Sequence, residues 1–179
     1  GVAGVHQRAV ALRVGLGQRL AGHVRHARDV ERALAAADGH RLGGDATDAV
    51  RATPFPQDDR LRPRGEPREI EAYTHFTFPG RKGKHSAFEW HARHFDAVDY
   101  DHRNPGERNT VYLLEGKQFD DQVALESGNF SYLMGADLDF QSQEVRDEVS
   151  AWGRWYLDTT GVDGFRLDAV KHISAWFFP

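Results

Sequence analysis

Arg166 and Asp168 stand two residues apart in the run Gly164-Phe165-Arg166-Leu167-Asp168-Ala169-Val170-Lys171-His172. Phe165 and Leu167 alternate with Gly164, Arg166 and Asp168, so residues 162–170 predict a β-strand with one apolar and one polar face. A guanidinium on the face that carries the carboxylate would hold Asp168 ionised and oriented. A plain ion pair capping a strand is the alternative for an arbitrary Arg-x-Asp. A second grouping, His85, His91 and His94, has the closeness a zinc site needs. Phe88, Trp90 and Phe95 interleave with it as core residues do, so packed or surface histidines are preferred. Glu89 and Glu115 read as solvated loop acids.

The elements that must position these groups change character along the chain. Val145, Val149, Trp152 and Trp155 or Tyr156 recur at spacings of three and four after Ser142, which predicts an amphipathic helix with Ser142 as its N-cap and Gly161 as a left-handed C-cap. Helix, tight turn and strand then follow one another. In a β/α barrel the C-terminal ends of the strands meet the substrate, and Asp168 sits at such an end. From about residue 51 to residue 141 the sequence is turn-rich, punctuated by Thr53-Pro54-Phe55-Pro56, Arg62-Pro63-Arg64-Gly65, Pro79-Gly80 and Asn104-Pro105-Gly106. Short strands and long loops are expected there, with strand candidates at residues 73–78 and 111–114.

The chain has 179 residues, no cysteine, 40% apolar and 28% charged residues, and a formal net charge of -4. This describes a globular domain or a piece of one and excludes thiolate chemistry, cysteine-ligated zinc and disulfides. No apolar run reaches the length of a membrane helix, and residues 1–20 lack the pattern of a secretory leader. All 20 aromatic residues lie at Phe55 or beyond, and residues 1–44 carry seven Arg against three acids. Three readings stand for that stretch. It is a basic arm for nucleic acid, disfavoured because no aromatic is interleaved for base stacking; a helical pair, since residues 21–37 are rich in helix formers; or a wrong-frame translation of GC-rich DNA, which is favoured.

The run from Gly164 to His172 resembles the second conserved region of the α-amylase family of glycoside hydrolases, family 13. Tyr132-Leu133-Met134-Gly135-Ala136-Asp137-Leu138-Asp139-Phe140 is similar to that family's short conserved segment near the end of its domain B. Thr74-His75-Phe76-Thr77-Phe78-Pro79-Gly80-Arg81 resembles the liquefying and cytoplasmic bacterial α-amylases. The resemblance implies an α/β fold, a (β/α)₈ TIM barrel interrupted after its third strand by an irregular, calcium-bearing domain B. Residues 1–44 would then be a barrel portion of doubtful sequence, residues 45–141 the domain B-like insertion, and residues 142–179 the third barrel helix, the fourth strand and the start of the next helix. A barrel of this kind needs about 250 residues, so residues 1–179 would hold the middle of one.

By the same resemblance Asp168 matches the nucleophile of a retaining α-1,4-glucan endohydrolase and Arg166 its orienting cation, while Lys171, His172 and His40 match substrate contacts. Asp96, Asp120, Asp137, Asp139 and the carbonyl of His172 match calcium ligands, in keeping with the six to eight hard oxygens that calcium takes, and solvated turn-forming acids are the other reading. Ser131 and Gln141 stand where relatives carry acids, which leaves about one calcium, and Gly39 replaces the Asn that should precede His40. The family pattern stops just upstream of His40, where the composition also changes, and this coincidence is why the shifted frame is favoured for residues 1 to about 38. The partner implied is an α-glucan polysaccharide or oligosaccharide, with no nucleic acid and no membrane, and a cytoplasmic location is favoured slightly over a secreted one. The family's general acid and second catalytic Asp are expected beyond residue 179, so residues 1–179 alone are expected to be inactive. The alternatives are a non-catalytic calcium- or glucan-binding remnant and a family 13 transglycosylase.

Overall fold

The computed structural model describes residues 40–41, 44–82, 84, 86–124, 134–163 and 170–178. Six strands form one sheet: β1 (His40–Arg41), β2 (Ala46–Pro56), β3 (Arg68–His75), β4 (Phe95–Val98), β5 (Thr110–Leu114) and β6 (Ala136–Leu138). Their order across the sheet is β1-β6-β4-β5-β2-β3, and every pairing is antiparallel. One helix, α1 (Gln143–Thr160), follows β6, and single turns of 3₁₀ helix occupy Pro79–Arg81, Ala92–His94, Val170–His172 and Ala175–Phe177. No helix among the described residues is long and apolar enough to cross a membrane.

The sheet is more continuous than the turn-rich sequence suggests. β2 runs through Pro54 and Pro56, which read as turn punctuation in the sequence. Their tolerance has a geometric cause: β3 pairs with β2 only as far as Ala52 opposite Arg68, so beyond that point β2 pairs on the β5 side alone. Proline lacks the N–H that a second neighbour would require, and it is accepted where a strand is locally an edge. β3 begins five residues before the expected strand at residues 73–78 and ends at His75. Phe76 continues only as an isolated bridge to Trp90, and Phe78 turns left-handed at φ 51°. β5 lies where it is expected, one residue longer.

The core gathers on one side of this sheet. Ala52, Ile70 and Ala72 from β2 and β3, Phe95 and Val98 from β4, Tyr112 and Leu114 from β5, and Leu138 from β6 meet Phe76, Trp90 and Phe140. Trp90 stacks edge-on to Phe88 with ring centroids 5.1 Å apart and lies 5.8 Å from Phe95. α1 covers the core through buried Val145 and half-buried Val149, the face read from its 3.6-residue period. Gly161 ends the helix at φ 64° with its N–H on the Leu157 carbonyl at 2.9 Å. Ser142 is the N-cap residue, but its hydroxyl makes no capping bond. Gly44 is needed for a different reason, since a Cβ there would stand 2.7 Å from the Tyr73 carbonyl oxygen.

The predicted strand at residues 162–170 falls mainly on residues 164–169, outside the described residues, as does the stretch at residues 1–39. Val170 to His172 form a 3₁₀ turn, and the segment after it is fixed at several points. Ile173 is buried in the core, the Phe177 ring lies 4.6 Å from that of Phe140, and Ala175 donates its N–H to the Gln122 carbonyl at 3.1 Å. Ala124 in turn donates to the Lys171 carbonyl at 3.0 Å.

Candidate functional site

Four aspartates that the sequence separates by up to 43 residues converge in the interior. Asp96 is on β4 and Asp137 on β6, the neighbouring strand; Asp139 follows β6, and Asp120 lies on the loop after β5. All four are buried. The β4–β6 pairing explains part of the convergence. Phe95 opposes Leu138 and Ala97 opposes Asp137, so two steps along β4 match one along β6 and Asp96 is the extra residue of a bulge. A bulge re-aims a side chain, and here it accommodates a carboxylate in a strand whose four residues are all buried.

Each carboxylate has a different set of partners. Asp139 Oδ1 accepts from the backbone N–H groups of Gln141 at 2.9 Å and Ser142 at 3.1 Å, while Lys117 Nζ donates to its Oδ2. It thereby holds the entry to α1 that the Ser142 hydroxyl does not cap. Beside Asp120, Ser174 Oγ donates to the Asp121 carbonyl at 2.8 Å, and Asp120 Oδ1 receives no hydrogen bond. Asp96 Oδ2 likewise receives none.

Burial and mutual repulsion raise the acids' proton affinity. Asp96 is pushed up to about 8, first by burial and then by the charges of Asp139 and Asp120, with Lys117 opposing. Asp120 is pushed up to about 6, chiefly by burial, against the nearby Ser174 hydroxyl and the charge of Arg60. Asp137 is raised well above the usual carboxylate range by burial, then by Asp96, Asp120 and Asp139. Buried carboxylate oxygens without donors, brought together from two strands and two loops, suit a hard divalent cation. The donor set present therefore fits calcium.

The other residues singled out in the sequence divide. His40 on β1 is the pairing partner of Asp137, which puts its backbone beside the acid group. Lys171 is exposed and His172 half-buried in the Val170–His172 turn, tied through Ala124 to the loop that carries Asp120. Arg166 and Asp168 lie outside the described residues, as do Ser131 and Gly39. The histidine grouping dissolves. His85 is outside the described residues, and His94 is buried with Nδ1 accepting from the His91 N–H at 2.9 Å and Nε2 3.0 Å from Glu144 Oε2. Both its nitrogens are engaged, and burial, against the Glu144 bond, lowers its pKa. Glu115 is a solvated acid that faces Arg51 at 3.4 Å. Sequence reasoning missed Lys117, the cation that pairs with Asp139, because a lone lysine in a loop carries no pattern.

Residues 81–178 match the family described as alpha amylase, catalytic domain, which is more than half of the chain. The chain belongs to that family. It is 45% identical over 140 residues to an alpha-amylase of Geobacillus stearothermophilus, a match covering 78% of the chain and 26% of the relative. It is 42% identical over 152 residues to an alpha-amylase of Bacillus licheniformis, covering 85% of the chain and 29% of the relative. The cytoplasmic alpha-amylase of Escherichia coli (strain K12) is 42% identical over 142 residues, with 78% of the chain and 28% of the relative covered. The chain thus spans between a quarter and three tenths of the length of the relatives it matches. Membership implies a TIM barrel for the catalytic domain as a whole, and the described residues supply an antiparallel sheet and one helix of it.

Proposed function

We propose that this chain is the middle portion of a retaining α-1,4-glucan endohydrolase acting on starch, glycogen or maltooligosaccharides. Residues 45–141 make the domain B-like insertion, α1 the third barrel helix and residues 162–169 the fourth strand. The observation that carries the reading is the attachment of the segment following Asp168 to the loop that carries Asp120. Ser174 Oγ donates to the Asp121 carbonyl at 2.8 Å, and the Lys171 carbonyl and Ala175 N–H are fixed by Ala124 and Gln122.

Asp96, Asp120, Asp137, Asp139 and the carbonyl of His172 would hold calcium, which when bound supplies charge that neutralises these acids and ties the domain B-like sheet to the catalytic strand. In the reaction the Asp168 carboxylate attacks the anomeric carbon as the glycosidic C–O bond breaks, and the leaving oxygen takes a proton from a second carboxyl group expected beyond residue 179. Water then cleaves the glycosyl ester and restores Asp168. Arg166 keeps Asp168 ionised by proximity of opposite charge. Lys171, His172 and His40 contact the glucan.

The test transplants residues 45–179 into the Bacillus licheniformis relative in place of the matched segment and assays a blocked maltoheptaoside. The chimaera is expected to hydrolyse it, and Asp168→Asn to lower kcat by more than about 10³-fold. A folded but inert chimaera, or an Asp168→Asn form as active as its parent, sinks the assignment.

A further inference from the structure

A second set of metal-ligating side chains gathers where β2 and β3 meet the segment leading to β4. Asp48 on β2, His75 at the end of β3 and His91 each offer one ligand atom within 4.8 Å of the other two. Glu89 stands beside this group, its Oε2 being 3.8 Å from His75 Nε2 and 3.9 Å from His91 Nε2. Asp48 Oδ1 is 3.9 Å from His91 Nδ1.

Those separations are too long for hydrogen bonds. They are close to the spacing of donors around one small cation, since tetrahedral ligands at about 2.1 Å from zinc lie about 3.4 Å from each other. The groups face one another across a gap without bonding, and His75 Nε2 is buried with no hydrogen bond at all. A buried ring nitrogen without a partner costs free energy unless something fills its lone pair or takes its proton.

The scaffold is built from backbone rather than chance. Phe76 and Trp90 exchange both N–H groups, at 3.0 and 3.2 Å, so His75 and His91 are the next pair outward on that bridge, and their rings lie 4.2 Å apart. Asp48 is fixed through its other oxygen, which accepts from Thr74 Oγ1 at 2.7 Å and the Ala92 N–H at 2.8 Å. Such anchoring of a carboxylate leaves Oδ1 directed at the ligand position, as outer-shell bonds do in metal sites. The His91 side chain also accepts from the His94 N–H, but that N–H donates to the His91 carbonyl at 2.9 Å as well, so the ring can release it.

We propose that Asp48, His75 and His91 form a three-ligand zinc site whose fourth position is taken by water. Two imidazoles and a carboxylate are a donor set for zinc and not for calcium, which takes oxygen ligands. The ion would join β2, β3 and the segment leading to β4, three pieces far apart in sequence, and stabilise the folded chain by mass action.

The test uses the whole chain, stripped with chelator and then exchanged free of it, titrated with zinc against a chromophoric zinc indicator. One tight equivalent is expected, weakened at least about tenfold in His75→Gln and in His91→Gln and retained in Asp96→Asn and His102→Gln. Equal zinc binding by the parent and both ligand variants, or no binding in competition with the indicator, overturns the site. Cobalt titration of the parent needs no variant. Intense visible bands of four-coordinate cobalt support the site, and the weak bands of six-coordinate aqueous cobalt at saturation overturn it.

Discussion

The Lys117 ammonium and the Asp139 carboxylate form an ion pair inside the buried acid group, and the same ammonium donates to the Arg93 carbonyl at 2.7 Å. Asp139 meanwhile holds the start of α1 through its other oxygen. One aspartate therefore links the acid group to the helix, with the lysine offsetting part of the acids' mutual repulsion.

Removing that lysine should expose the repulsion. Breaking a buried pair costs about 3 to 5 kcal/mol, and this one is partly reached by solvent, so Lys117→Met is expected to lose about 2 kcal/mol in chelator. Calcium should restore more of the loss in Lys117→Met than it adds to the parent, because the cation takes over the lysine's role. Urea midpoints with chelator and with calcium measure both; equal calcium increments in the two proteins would refute the idea.

The calcium assignment itself is tested at Asp96, whose Oδ2 has no donor. Calcium is expected to raise the melting temperature of the parent, by linkage, and to leave Asp96→Asn nearly unmoved. In chelator the order reverses: Asp96→Asn removes a buried acid that other acids repel, so it should melt no lower than the parent. A calcium response of equal size in both proteins would remove Asp96 from the ligand set.

How much of this was legible depended on the range of the pattern. α1 could be read because Val145, Val149 and Tyr156 lie on one stripe, and Val145 and Tyr156 are indeed buried. Its cap could not, since Asp139 lies three residues before Ser142 and acts from the end of a strand. β3 was legible only at its C-terminal end, because Arg68, Glu69 and Glu71 are charged residues on an edge strand, where solvent and ion pairs accept them: Arg103 bonds Glu69, and Arg68 pairs with Glu107. Asp96, Asp120, Asp137 and Asp139 were named by resemblance, and their meeting depends on a bulge in β4 that no local signal announces. Asp48, His75 and His91 were missed as a group because only the bridge between Phe76 and Trp90 sets them together.

Trp90 tests whether the core carries the stability of the described sheet. It is 1% exposed and packs on Phe88, His94 and Phe95, whereas Leu61 is 84% exposed in the loop between β2 and β3. Trp90→Ala is expected to cost about 3 to 5 kcal/mol, and Leu61→Ala to stay within about 0.5 kcal/mol. Denaturant unfolding of the two variants gives the comparison, and similar losses would mean that the cluster around Trp90 does not form the core.

Asp101 supplies a pH dependence of its own. It is buried, which alone would raise its pKa, yet the Asn104 side chain donates to it at 2.6 Å and the N–H groups of Glu71 and Arg103 at 3.1 and 3.0 Å, with Arg68 adding positive charge. The bonds prevail and the pKa is lowered. A depressed folded-state pKa gives stability that is fully present above the unfolded value of about 3.9 and is lost as pH falls through the folded value. Asp101→Asn keeps the shape and one acceptor oxygen but cannot ionise, so the parent should exceed it in stability at pH 6 and the gap should narrow below about pH 4. Urea midpoints across pH 3 to 7 decide it, because a gap that stays constant or widens toward acid would mean that the Asp101 charge contributes nothing to holding β3 against the turn at Asn104.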